Sequence, residues 1–423
     1  MKKWSLRIGV GLFAAILLLY LFLYSRSVAH VEVADAGLRL ERADVPQRSN
    51  GFFVLLEATN QIWWPRKQRD AIDDLAQATN LNWNAAFAAQ VLSSNAAALQ
   101  AWDRAAELPA FQVPESKFAD PIDYLSDWKK FARLASIREN ALMHEGNEAQ
   151  AFDEMMKQIQ LGQKMESARG ALIHYLVGAA VKQIGYAQLR SWAAKTQLSP
   201  AALKNYLQQL ETQPAAEAAA YADAMRMEYQ FSAGAMKDIR EGKLGRDGGW
   251  PSPILMKLVP EFNLEKTKAK LALGFQFQVD IATNHYCDVK FPAHHFETNF
   301  FPLLLSGNAI GEILGEMLLP ALETSFAGKV RRDASLQATR TILALRAYQR
   351  THGSLPTELL ALVPEFLNEM PLDPFDGKPL RYSAEKKIVY SVGKNLQDDG
   401  GDDRGQNAPE TQRHLDLVFK FDF

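Results

Sequence analysis

Six side chains near the C-terminus, Asn395, Asp398, Asp399, Asp402, Asp403 and Asp416, carry the densest set of oxygen ligands in the chain, in a segment opened by Gly400 and Gly401. Calcium takes about six to eight oxygens in flexible geometry, and a glycine-rich acidic loop supplies both carboxylates and carbonyls. A structural calcium ion is one expectation for these residues; a solvated acidic turn is the other. A second cluster, His285, Cys287, Asp288, His294, His295 and Glu297, contains types that ligate zinc or copper. Its spacing is neither a paired-cysteine knuckle nor a His-Glu-x-x-His helix, so a loop with polar residues facing outward competes with a metal site. Glu312 and Glu316 stand one helical turn apart beside Gly307, Gly311 and Gly315. That pattern fits a tight helix contact with a wetted edge, or a carboxylate pair for acid/base work. A nucleophile elbow, a Walker loop and a dinucleotide glycine fingerprint are absent. Cys287 near His285 is the remaining nucleophile, with an inert thiol as the plainer account.

These residues need a scaffold, and the composition is globular, at 48% hydrophobic and 23% charged. A net charge of -2 argues against nucleic acid as partner, because phosphate binding leaves a basic excess. The single cysteine excludes an intramolecular disulfide and a four-thiolate zinc site. Residues 8–24 form an uncharged apolar run between Lys2, Lys3 and Arg7 on one side and Arg26 on the other, with Trp4, Tyr20 and Tyr24 at its ends. This predicts a single-pass signal anchor crossing a bacterial inner membrane through residues 4–24, with the bulk of the chain periplasmic or extracytoplasmic. Ser27-Val28-Ala29 offers a cleavage site, so a removed signal peptide is the competing expectation.

From Asn50 to about Arg240 the pattern is helical, rich in Ala, Leu, Gln and Glu and broken where Pro, Gly or Asn cluster. It predicts helices at 51–64, 65–79, 84–106, 121–145, 147–165, 170–195 and 200–213. Such helices joined by short links suggest an α-solenoid or an irregular bundle. A Gly and Pro stretch at 242–260 reads as the internal boundary. Beyond it the pattern predicts a helix at 263–284, two further helices over 303–348, a short helix in TELLALVPEFL, and strands at 387–392 and 415–421. The basic run from Lys329 to Arg350 reads as a solvated helix face or a contact for anionic polymers. The expected organisation is an anchor at 1–30, a helical domain at 31–250, a linker with further helices at 251–335 and an α+β module at 336–423.

Within that last module the motifs come in a fixed order. Tyr348 is followed by Gly353 and Pro356, then Leu359, Leu362, Val363 and Pro364, then Pro371-Leu372-Asp373-Pro374-Phe375 with Gly377, Pro379 and Tyr382, then Tyr390-Ser391 with Gly393 and the Asp/Gly loop. This order resembles the C-terminal region of the type II secretion major pseudopilin, over roughly residues 338–423. It also resembles the tail of a group of membrane-anchored bacterial proteins carrying that module behind a long helical region. The resemblance implies a helix packed on a small antiparallel sheet and a calcium ion in the Asp/Gly loop. Asn395 stands where a pseudopilin has Asp, and the pseudopilin N-terminal motif is missing from the first residues. The fold class is therefore expected to be mainly α: a membrane helix, a multi-helix exported domain and a small C-terminal α+β pseudopilin-like module. The expected function is interaction or scaffolding with an envelope protein partner. The alternatives are a membrane-tethered hydrolase acting on envelope polymers through Glu312 and Glu316 or the His/Cys cluster, and a secretion-apparatus accessory.

Overall fold

Asn, Gly and Pro punctuate this sequence, and several helices begin or end on them. Asn50, Asn84 and Asn263 each accept a hydrogen bond from a backbone N–H of the helix they precede. Gly353, at φ 78°, closes the longest helix in the left-handed conformation. The computed structural model describes residues 2–77, 83–115, 120–211, 214–241, 243, 262–292, 305–402 and 416–423. In chain order these form α1 (Lys2–Ser27), α2 (Gly51–Ala58), α3 (Arg69–Leu75), α4 (Ala85–Ser94), α5 (Ala96–Glu107), α6 (Tyr124–His144), α7 (Glu148–Glu166), α8 (Leu172–Lys195), α9 (Pro200–Glu211), α10 (Pro214–Arg240), α11 (Leu264–Asp280) and α12 (Ala309–His352). Strands β1 (Arg381–Ser383), β2 (Ile388–Ser391) and β3 (Leu417–Lys420) follow, forming one antiparallel sheet in the order β1-β2-β3. Its register pairs Tyr382 with Val389 and Val389 with Phe419.

The α7–α8 hairpin is central. A Cβ added at Gly178 would stand 2.5 Å from the Glu166 nitrogen and 2.8 Å from the Met165 carbonyl carbon, so the two backbones lie almost in contact. Three apolar cores surround this hairpin. One gathers α2 to α6, with Trp102, Trp128 and Phe131 at its centre. Another joins α7, α8 and α9 to the C-terminal half of α12 and the sheet, through Phe152, Tyr186, Leu207, Ile342, Val389 and Phe421. The last joins α10, α11 and the N-terminal half of α12, through Tyr221, Met225, Phe275 and Phe326. The sheet thus shares its core with the helices, and α12 passes unbroken through the expected division at 335/336.

Several expectations are corrected here. The single-pass signal anchor over residues 4–24 does not stand: among the described residues no helix is long and apolar enough to cross a membrane. The apolar run at 8–24 rises about 25 Å, less than the roughly 30 Å of a bilayer core. Side chains from Phe13 to Phe22 are exposed, but the last turn of α1 is docked on protein, with Leu23 and Ser27 buried and Lys266 Nζ donating to the Arg26 carbonyl at 3.0 Å. The single-pass inner-membrane placement falls with the anchor. The mainly α fold class loses its membrane helix and keeps its helices and small sheet. The two helices expected over 303–348 are the single helix α12, and the helix expected in TELLALVPEFL is a 3-10 turn, Leu359–Leu362, that stops before Pro364, which has no N–H to continue it. The boundary expected at 242–260 lies outside the described residues, apart from Lys243.

The hairpin contact is testable. Gly178→Ala is expected to cost about 1–3 kcal/mol through overpacking against backbone. Gly234→Ala, on an exposed face of α10 with nothing within 4 Å of the new methyl group, is expected to gain about 0.5–1 kcal/mol. Urea unfolding of both variants checks this, and equal effects would contradict it.

Candidate functional site

Lys182 lies on α8 with no exposed side-chain surface, and an ammonium in such a place needs partners. It donates to Glu166 at the end of α7, to Glu217 on α10 at 2.9 Å and to Gln163 at 3.2 Å. Tyr186 adds its hydroxyl to the same Glu217 oxygen at 3.4 Å. On α12, Lys329 pairs with Asp333 at 2.7 Å, and Arg332 donates to the Tyr175 hydroxyl at 2.8 Å while lying over its ring. Asp333 and Glu217 are near enough for each to act on the other's carboxyl.

The electrostatics divide this pair. Burial pushes Asp333 up to about 7, with Lys329 opposing and Glu217 reinforcing. Burial also works to raise Glu217, but the Lys182 charge and the hydrogen bonds from Asp333 and Lys182 outweigh it and hold that carboxyl below its usual range. Burial raises Glu166 as well, against the pull of Lys182. For Lys182 itself the two carboxylates outweigh burial and keep the ammonium protonated. The two carboxyls are thus driven apart, Asp333 upward and Glu217 downward.

The network is not sealed. Glu217, Lys329 and Asp333 line a cavity of about 250 Å³ between the helices and the C-terminal segment, and Asp333 keeps 19% of its side-chain surface. Gln337 and Arg340 continue the same wall, and Asn284, His285 and Glu369 approach from the loops opposite. The loop wall is held by Asp373, which is wholly buried. Its Oδ1 accepts from the Phe375 nitrogen at 2.9 Å and the Ser391 hydroxyl at 2.8 Å; its Oδ2 accepts from the Val392 nitrogen at 2.9 Å and from Arg381 at 3.1 Å. One carboxylate thus pins the Pro371–Tyr382 motif to β2. Backbone bonds from Tyr286 to the Pro374 carbonyl and from Cys287 to the Phe375 carbonyl then strap the His285 loop onto that motif.

The residues singled out from sequence are placed as follows. Asn395 donates to Asp399 at 3.2 Å and accepts from the Gln397 nitrogen. Asp398 accepts from the Tyr390 hydroxyl at 3.1 Å and the Gly400 nitrogen at 2.9 Å, and lies 3.7 Å from Arg381. Asp416 accepts from the Gly401 nitrogen at 2.8 Å, and its buried Oδ1 has no hydrogen-bond partner among the described residues. Burial, with Asp399 and Asp398 nearby, raises its carboxyl. That orphaned oxygen fits a cation, but among the described residues no three His, Cys, Asp or Glu side chains gather as a metal site. Asp402 is half-buried, and Asp403 lies outside the described residues.

His285 lies 3.5 Å from Asp288, and the exposed Cys287 donates to Asp288 at 3.6 Å. Burial and the Asp288 charge raise that thiol, the opposite of what a nucleophile needs. His294, His295 and Glu297 lie outside the described residues. Glu312 and Glu316 both accept from Lys270 of α11, at 2.6 and 2.8 Å, and a Cβ at Gly311 would collide with Thr267. That pair is an interhelix clamp, its two carboxylates sharing the one ammonium of Lys270. Along the basic run only part of the face is wetted: Arg331 is exposed, while Lys329, Arg340 and Arg346 are buried.

The Lys182 network was not read as a site from sequence. Its available signal is a lysine inside an apolar helix, with Glu166 just beyond the preceding helix and Asp333 amid a basic run. Compared with known proteins, the chain matches no family model, no curated protein and no solved structure.

Removing the ammonium should expose how much depends on it. Lys182→Met is expected to cost about 3–5 kcal/mol, because two buried carboxylates lose their counter-charge. Adding Glu166→Leu should return at least about 1 kcal/mol of that loss. Urea unfolding of the natural protein, the two single variants and the double variant measures the coupling, and strict additivity would contradict the network.

Proposed function

We propose that the protein is of interaction type and binds a small polar ligand in the cavity between its helices and its C-terminal sheet. The observation that carries this reading is the set of charged side chains, Glu217, Lys329 and Asp333, that lines a cavity of about 250 Å³. Charged groups that meet in a concave space, with the Asp333 carboxyl raised by burial, are what a polar ligand can engage. The wall is preorganised: Asp333 is set by Lys329 and Glu217, and the opposite loop is set by Asp373. The resemblance of residues 338–423 to a pseudopilin tail is in keeping with an interaction role.

A hydrolytic reading has one specific observation in its favour. Two adjacent carboxyls with opposite shifts, one raised and one lowered, are the environment that separates a general acid from a general base. Both carboxyls are already engaged by lysines, Glu217 by Lys182 and Asp333 by Lys329, so binding is the better-supported role.

The test is thermal unfolding of the full chain against a panel of small polar molecules, with Gln337→Trp as a variant that fills the cavity. At least one molecule is expected to raise the melting temperature of the natural protein and to leave that of Gln337→Trp unchanged. No shift with any molecule, or equal shifts in both proteins, would overturn the reading.

A further inference from the structure

Helices α11 and α12 run side by side in the same direction. Asn263, the cap of α11, meets Asn308, the cap of α12; one to two turns on, Lys270 meets Glu312 and Glu316. Leu319 then lies over Gly274, where a Cβ would stand 2.1 Å from its Cδ2, so Leu319 occupies a notch that only a glycine leaves open. Around this contact the two helices, with Phe291 and Pro292, line a cavity of about 370 Å³. It shares no lining residue with the cavity walled by Glu217 and Asp333, so either site can fail without the other.

The lining is largely hydrocarbon. Leu273, Phe277, Phe291, Leu319 and Leu322 supply it, and the Phe277 and Phe291 rings meet edge to face at 6.0 Å. Leu273 is 74% exposed, so water reaches this apolar surface. The charged groups at the rim are already engaged: Lys270 by Glu312 and Glu316, and Glu323 by Lys394 at 3.4 Å. Gln278 differs from them. It is buried, and its Oε1 accepts from the Tyr221 hydroxyl at 2.6 Å, which fixes the amide. Its Nε2 has no hydrogen-bond partner among the described residues. A buried amide donor left idle is costly, and this one belongs to a residue that lines the cavity.

We propose that this cavity takes a neutral, mainly apolar molecule carrying one hydrogen-bond acceptor of carbonyl type, its apolar body against Phe277, Phe291, Leu319 and Leu322 and its acceptor on Gln278 Nε2. The apolar body displaces water from hydrocarbon surface, which is the driving force. The acceptor supplies the partner that the Gln278 amide lacks. A net charge on the ligand would have to leave water with no free counter-ion to meet it. An apolar cavity of about 150 Å³ holds a benzene ring, so a space of this size suits about 15 non-hydrogen atoms, such as two rings.

The experiment is methyl NMR of the full chain labelled at leucine, with Leu273, Leu319 and Leu322 assigned through single substitutions. The probes are a matched set: benzophenone; diphenylmethane, which lacks the acceptor; and protonated benzhydrylamine and diphenylacetate, which add a charge. Benzophenone is expected to move the three methyl resonances with a Kd of about 0.1 mM or tighter. It should bind about fivefold or more tightly than diphenylmethane and than either ion. Leu273→Lys, at an exposed position, should fold normally and lose about fivefold or more in benzophenone affinity. Gln278→Met should bind benzophenone and diphenylmethane alike; should it not fold, the comparison of the two ligands in the natural protein decides the role of the amide. No movement of these resonances with any probe, equal binding of benzophenone and diphenylmethane, an ion binding as tightly as the ketone, or unchanged affinity in Leu273→Lys would each overturn the proposal.

Discussion

An ammonium group with no access to water sets the terms for this fold. Lys182 can occupy the interior only with carboxylates from outside its own helix, and it finds them in Glu166 on α7 and Glu217 on α10. Taking those three charges from water is costly, and the mutual attraction repays it only if the geometry is held tightly. The glycines of the α7–α8 hairpin provide that geometry by letting the two backbones approach until Gly178 meets Glu166. Three apolar cores meet around this point, and none can extend through it, because apolar packing cannot cover charged groups without leaving them unpaired. The polar seam is the consequence.

Function follows from how the seam ends. Glu217 already serves Lys182, and burial, reinforced by the Glu217 charge, pushes the next carboxyl along, Asp333 on α12, upward. Asp333 stands beside a cavity whose other wall is built by different means. Asp373 folds the Pro371–Tyr382 turn against β2, and the His285 loop is strapped to that turn by backbone bonds. The helices therefore supply the titratable wall and the C-terminal segment supplies the lid-side wall. Neither wall is complete alone, which is also why the sheet shares a core with α7, α8, α9 and α12.

Much of the helical layout was legible. The α7 and α8 limits fall within two residues of the expected 147–165 and 170–195, because Asn147, Gly170 and Thr196 interrupt a strong helical pattern. Strands β2 and β3 were read from their alternation and turn residues, whereas β1, three residues long, lies inside a motif rich in Pro and Gly. The membrane anchor was misread because hydropathy alone does not register the last turn of α1 docking through Leu23 and Ser27. Glu312 and Glu316 read from sequence as a tight helix contact or a carboxylate pair, and Lys270, 42 residues before the first of them, joins both across the helix contact. Lys182, Glu217 and Asp333 were not legible as a site, since each is unremarkable on its own helix. Only the tertiary crossing of α8, α10 and α12 brings them together.

The central claim is that burial, reinforced by the Glu217 charge, raises the Asp333 carboxyl at the cavity wall. It is tested most directly by carbon-13 NMR of the full chain with labelled aspartate side chains, following the carboxyl resonances against pH and assigning Asp333 by its loss in Asp333→Asn. The account predicts a carboxyl that titrates near 7, clearly apart from the ordinary aspartates near about 4, and that moves toward them in Glu217→Gln. An Asp333 resonance titrating with the other aspartates would contradict it.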